Sequence, residues 1–230
     1  MFRVASRLAV RPAVAAVASA AMPRAAAPLA APGAFAAVRH SSRLSAAAKE
    51  ELDDELSNER VMPELPEGWA VTHKKGESRF TMTKKHADEQ LSIICQLQVL
   101  DPEVAERRAS GDAADAVEHF PFTLHVTRGG KCLDFSLTHA DGELVIDGMT
   151  HYESAAVAQD DSAEGEVRKE RHYQGPTFAE LNSGFVDAIV DYLEARGVND
   201  DLSTFVAQYS YAVEQQEYEN WLRAVADFTA

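Results

Sequence analysis

Between Trp69 and Tyr152, apolar and polar residues alternate with a period of two, and this pattern narrows the choice of fold more than any other feature of the chain. Successive side chains of a strand point to opposite faces, so an apolar residue at every second position marks a half-buried strand. Trp69/Val71, Phe80/Met82 and Leu91/Ile93/Cys95/Leu97/Val99 each define one face, and Phe120/Phe122/Leu124/Val126, Leu133/Phe135/Leu137 and Leu144/Ile146 repeat it. Lys75-Gly76, Gly129-Gly130 and Asp141-Gly142 separate the runs with residues that accept the positive φ of tight hairpins. Residues 69–152 are therefore expected to form an antiparallel meander of six or seven strands.

Helical sequence flanks the meander on both sides. Residues 45–60 are good helix formers with Leu52 and Leu56 four apart, and Pro63, Pro66 and Gly68 end that helix. Its narrow apolar face must pack on another element. Near the C-terminus, Gly175-Pro176 interrupts the chain and Thr177-Phe178-Ala179-Glu180 has the form of a capping box, which predicts a helix over 177–196. Phe178, Leu181, Phe185, Ile189, Tyr192 and Leu193 share one side of it; Glu180, Asp187, Asp191 and Glu194 share the other. Gly197 stops this helix, and Asn199 caps a second one running through Leu202, Phe205, Val206, Tyr209 and Val213. A final stretch carries Tyr218, Trp221, Leu222, Val225 and Phe228. The fold class is α+β, with residues 45–230 as one domain and residues 177–230 as its C-terminal helices.

The N-terminus has a different composition. Residues 1–49 contain Arg3, Arg7, Arg11, Arg24, Arg39, Arg43 and Lys49 but no acid before Glu50, and on a helix Arg3, Arg7 and Arg11 oppose Phe2, Ala5 and Leu8. This is the composition of a mitochondrial transit peptide, placed at residues 1–44. The uncharged run Ala13–Met22 would suit a secretory signal, but the Arg-rich, acid-free sequence continues well past it. That run is also too short to span a bilayer. Removing residues 1–44 takes six of the 22 Lys+Arg and none of the 37 Asp+Glu, so the formal charge falls from −15 to −21. A surface of that charge repels nucleic-acid backbones and anionic membranes and attracts basic proteins at long range.

No catalytic or metal-binding pattern stands out. G-x-S-x-G, H-E-x-x-H, the phosphate-binding loop and the dinucleotide-binding glycines do not occur. The acid-rich stretches 101–118 and 153–171 lack calcium-loop spacing and read as solvated loops. Cys95, Cys132, His125 and His139 lie in strand segments, where packing is the expected role, and the two cysteines offer no disulfide framework. The expectation is a non-enzymatic protein with no cofactor and no metal site. Two surfaces could bind partners: the acids Glu180, Asp187, Asp191, Glu194, Asp200 and Asp201 for basic proteins, and Lys74, Lys75, Arg79, Lys84 and Lys85 for RNA. In the second case Phe80 has core parity, which argues against a stacking platform, and lysines guarding an exposed strand edge would explain the charges equally well.

Tyr173-Gln174-Gly175-Pro176-Thr177-Phe178, Leu193-Glu194-Ala195-Arg196-Gly197-Val198 followed by Leu202 and Phe205, and Glu217-Tyr218-Glu219-Asn220-Trp221-Leu222 together resemble the C-terminal signature of the mitochondrial acidic matrix protein family, also called the mitochondrial glycoprotein family. Its human member binds the globular heads of complement. Over residues 45–172 the resemblance lies in strand order and acidic loops. It implies an N-terminal helix, a highly twisted seven-stranded antiparallel sheet and two C-terminal helices, assembled as a homotrimeric ring in the mitochondrial matrix. It also implies a chaperone-like scaffold for basic proteins of the mitochondrial ribosome, translation or RNA processing, with direct RNA binding as the alternative. Apolar residues of so thin a protomer, Trp221 and Phe228 among them, would be covered by neighbouring subunits.

Overall fold

The computed structural model describes residues 42–57, 61–97 and 119–230. The leader around Arg3, Arg7 and Arg11 and the acid-rich stretch 101–118 therefore lie outside the described residues. Six strands form one antiparallel sheet in sequence order: β1 (Ala70–His73), β2 (Arg79–His86), β3 (Glu89–Gln96), β4 (His119–Arg128), β5 (Lys131–Ala140) and β6 (Glu143–Tyr152). Each alternating run supplies one strand. No further run within the described residues supplies the seventh that the resemblance implies.

Register follows side-chain parity. Phe80, Met82, Leu91, Ile93, Cys95, Phe122, Leu124, Val126, Phe135 and Leu137 point to one face and are buried there. The hairpins turn where expected, at Gly76, Gly129-Gly130 and Asp141-Gly142, all with positive φ. One turn was not legible. Ala87, between β2 and β3, sits at φ 51° without being glycine, a conformation that brings Cβ close to the following carbonyl.

Helix α1 (Arg43–Ser57) begins two residues earlier than expected. Ser42 caps it, its Oγ accepting the amide of Ser45 at 3.0 Å. The helix packs on the C-terminal helix through Ala48 and Leu52, while Leu56 is exposed. The stretch 153–171 is not a simple loop. It folds into α2 (Ala155–Ala158) and α3 (Ala163–Glu170), the latter capped by Ser162, whose Oγ accepts the amide of Gly165 at 3.0 Å. Ala155 and Ala158 cover Cys132 and Tyr152 on the second face of the sheet.

The capping box at Thr177 does not open an α-helix. Residues Phe178–Glu180 make a single 3-10 turn, Thr177 makes no side-chain cap, and Leu181 is extended. Asn182 is the effective cap, its Oδ1 accepting the amide of Gly184 at 2.9 Å, so helix α4 spans Ser183–Glu194. The shorter helix buries Ile189 and Leu193 but leaves Phe185 49% exposed. Asn199 caps α5 as expected, accepting the amide of Leu202 at 3.1 Å. The two segments expected after it are one continuous helix of 29 residues, Asp200–Phe228. Val198, Leu202, Phe205 and Val206 close the main core over the sheet. Farther along, Leu222 and Ala226 meet α1. Among the described residues no helix is long and apolar enough to cross a membrane.

Candidate interaction surfaces

Helix α4 turns its polar side outward. Asp187, Asp191 and Glu194 are exposed, Glu180 is exposed in the turn before it, and none of these carboxylates has a cationic partner among the described residues. Asp200 and Asp201 continue the charge into the first turn of α5, where the helix dipole favours anions. Asp200 differs from the rest. Its Oδ1 accepts the amide of Leu144 at 2.8 Å and so ties the start of α5 to the start of β6.

The five basic residues of the β1–β2 region are dispersed. Lys74, Lys75 and Arg79 lie at the turn end of the hairpin; Lys84 and Lys85 lie at the far end of β2, roughly 16 Å away at the rise of a strand. Lys74 pairs with Glu77 at 2.8 Å, and Arg79 pairs with Asp161. The Lys84 ammonium stands 5.6 Å from the ring centre of Trp69, its stem half-buried at core parity. Of the set, Lys75 and Lys85 are exposed and carry no acid partner among the described residues.

A buried charge cluster was missed. Glu89 has core parity at the start of β3, and its side chain is 3% exposed. Its carboxylate accepts from Arg196 Nε at 2.7 Å and from Tyr192 Oη at 3.1 Å, and Arg128 approaches to 3.5 Å. Arg196 lies over the Tyr192 ring, 3.3 Å from its centre, and also donates to the Tyr192 carbonyl at 2.6 Å. The Arg196 hydrogen bond holds the Glu89 carboxyl below its ordinary range, against burial that pushes it up. The legible signal was a charge at a core position. The cluster closes the end of α4 onto the sheet and is fully engaged in doing so.

The strand histidines and cysteines have structural surroundings. His125 is buried, with Nε2 3.6 Å from Asp134, and His139 Nδ1 lies 2.9 Å from Ser203 Oγ. Burial pushes the Cys95 thiol up to about 12 and the Cys132 thiol up to about 11, so neither is a nucleophile at neutral pH. Among the described residues no group of His, Cys, Asp or Glu could hold a metal ion.

Comparison with known proteins agrees with this arrangement. The chain is 26% identical to the mitochondrial acidic protein mam33 of Schizosaccharomyces pombe, over 86% of this chain and 85% of that protein. An uncharacterised mitochondrial protein of Arabidopsis thaliana is 23% identical over 76% of this chain and 67% of its own length. Among solved structures, the Trypanosoma brucei p22 protein superposes with a TM-score of 0.72 at 35% identity, covering 82% of this chain and 97% of that one. A Leishmania major protein of unknown function, described as a sequence homologue of human p32, gives 0.70 at 30% identity over 83% and 100%. The family model described as mitochondrial glycoprotein matches residues 42–229, from the cap of α1 to the residue after α5. The chain belongs to the mitochondrial glycoprotein family.

Proposed function

We propose that this protein is a non-enzymatic acidic scaffold of the mitochondrial matrix, assembled as a homotrimer, that binds basic proteins of the mitochondrial ribosome, translation or RNA-processing machinery. The observation that carries the reading is the exposed row Asp187, Asp191 and Glu194 on a capped, packed helix, with no cation beside it among the described residues. Fixed charges of one sign on a rigid face attract an opposite surface from beyond contact distance and cost little to desolvate at its rim. Family membership and the mitochondrial names of the relatives support the compartment. The acid-free leader, placed at residues 1–44, supports import. Self-assembly is supported by apolar side chains left in water, Phe228 at 91% and Phe185 at 49% exposure.

Capture from matrix extract at low and high salt, with and without nuclease, tests the binding. Basic proteins retained at low salt, released by salt and indifferent to nuclease are expected; capture abolished by nuclease would instead make RNA the ligand. Light scattering tests the assembly, and a monodisperse monomer would refute the trimer.

A further inference from the structure

The second face of the sheet, opposite the main core, is polar where helix α3 crosses it. His125 on β4 stands directly opposite Asp134 on β5, and Thr123 stands opposite Ser136, so parity turns all four to that face. Helix α3 brings no apolar side chain down onto them. Gly165 is its one buried residue, and Val167 is 46% exposed. A cavity of about 420 Å³ lies between the helix and the sheet, with Ile94 and Pro121 adding apolar wall.

The charges around this cavity do not cancel. Glu166 on the α3 side is paired with Lys169 at 2.6 Å, and Asp161 is paired with Arg79. That accounts for both cations at the site. Asp134 and Asp147 remain, and neither has a Lys or Arg beside it among the described residues. Asp147 accepts the Thr138 hydroxyl at 2.6 Å and is exposed at the rim. Asp134 lies deeper, its side chain 17% exposed, and its nearest basic group is His125 Nε2 at 3.6 Å. That imidazole is itself a separate signal. His125 is 3% exposed and lines the cavity, and its buried Nδ1 meets no hydrogen-bond partner among the described residues. Buried polar atoms are paired as a rule, so an orphan at a cavity marks a binding position. A neutral imidazole accepts through one ring nitrogen, and carboxylates only accept. The site therefore offers acceptors and negative charge to a ligand made of donors and positive charge.

We propose that this cavity binds a linear aliphatic polyamine, one ammonium at Asp134 beside His125 and another at Asp147. Asp134 and Thr138, which holds Asp147, are four positions apart on β5, about 13 Å at the rise of a strand. A single ion cannot bridge that distance, and no group of His, Cys, Asp or Glu among the described residues could hold a metal ion. Ammonium groups joined by methylenes match both the spacing and the Ile94–Pro121 wall. The site is separate from the acidic row on α4, and its occupancy does not depend on partner binding there.

Spermidine titrated calorimetrically into the purified protein at about 0.15 M salt tests the proposal, since exposed charges are screened under that condition. Saturable binding with one site per chain is expected. Asp134→Asn and Asp147→Asn should each weaken it about tenfold by removing a charge-assisted hydrogen bond. Ser136→Leu leaves the charge unchanged but fills the cavity, and should weaken binding by at least about tenfold. Ser136 and Asp147 are exposed, so their variants decide the matter even if Asp134→Asn fails to fold. Putrescine, too short to reach both carboxylates, should bind more weakly than spermidine. Asp187→Asn/Asp191→Asn removes two surface charges and should leave affinity within about twofold. Failure to saturate would overturn the proposal, as would unchanged affinity in Ser136→Leu and Asp147→Asn. An equal loss in Asp187→Asn/Asp191→Asn would overturn it by making the net charge the attractant. Displacement of spermidine by an equal concentration of magnesium would overturn it in favour of a metal site.

Discussion

On its inward side, the C-terminal end of helix α4 meets a carboxylate, Glu89, that is 3% exposed and bonded to Arg196 and Tyr192. On its outward side the same helix carries Asp187, Asp191 and Glu194 in water with no cation beside them among the described residues. All are acids of one chain, yet their energetics are opposite. A buried carboxylate survives only with its partners, and removing one partner strands a charge in low dielectric. Exposed carboxylates are screened and nearly independent of the fold. Net charge therefore describes how this protein looks from a distance and says nothing about which acid holds it together.

The largest effect that could break this contrast is expected at Glu89. Glu89→Gln should lower stability by about 3 kcal/mol at neutral pH, read from urea unfolding, because Arg196 loses its counter-charge. The pH dependence has a definite sign. The Glu89 carboxyl is held below its ordinary range, chiefly by the hydrogen bond from Arg196. Its contribution is thus fully present above the unfolded-chain value of about 4.3 and disappears as pH falls through the lower folded value. The gap between wild type and variant should close in acid. A gap that stays constant would mean the ion pair is not what Glu89 contributes.

An intermediate effect belongs to Asp200, the exposed acid with one bond into the fold. Asp200→Ala should cost about 1 kcal/mol through the lost Leu144 amide bond and the lost charge at the α5 N-terminus. No loss in thermal unfolding would place Asp200 with the free acids of α4. For those acids the change in stability should be smaller still. Asp187→Asn/Asp191→Asn/Glu194→Gln should move stability by no more than about 0.5 kcal/mol per site. If this face docks basic partners, their association should slow and its salt dependence should flatten while dissociation changes little. Equal on-rates and equal salt slopes would remove α4 from the binding surface. The smallest effect is expected from Cys95 and Cys132, buried as Glu89 is but uncharged. With thiols pushed up to about 12 and about 11, neither should react with a thiol reagent at pH 8 until the protein unfolds.

Local rules determined most of the architecture. Period-two alternation fixed six strands, their inner faces and three of the hairpin turns, because parity and positive-φ residues are properties of neighbouring positions. Asn199 as a cap and the outward direction of Asp187, Asp191 and Glu194 were legible for the same reason. Where two local signals competed, tertiary packing decided. Thr177 and Asn182 both offer a cap, and only the second starts α4. The stretch 153–171 looks like solvated loop from its charges, but Ala155 and Ala158 find Cys132 and Tyr152 to cover. Long-range pairs leave still less trace. Glu89 joins Arg196 across 107 positions and Glu217 joins His73 across 144, and the cavity beside His125 exists only where α3 crosses the second face of the sheet. The sequence by itself determined which residues turn inward along each element. Which elements those residues meet was decided by the tertiary structure, because burial, counter-charge and cavity shape arise from distant segments packing together, and no local pattern encodes them.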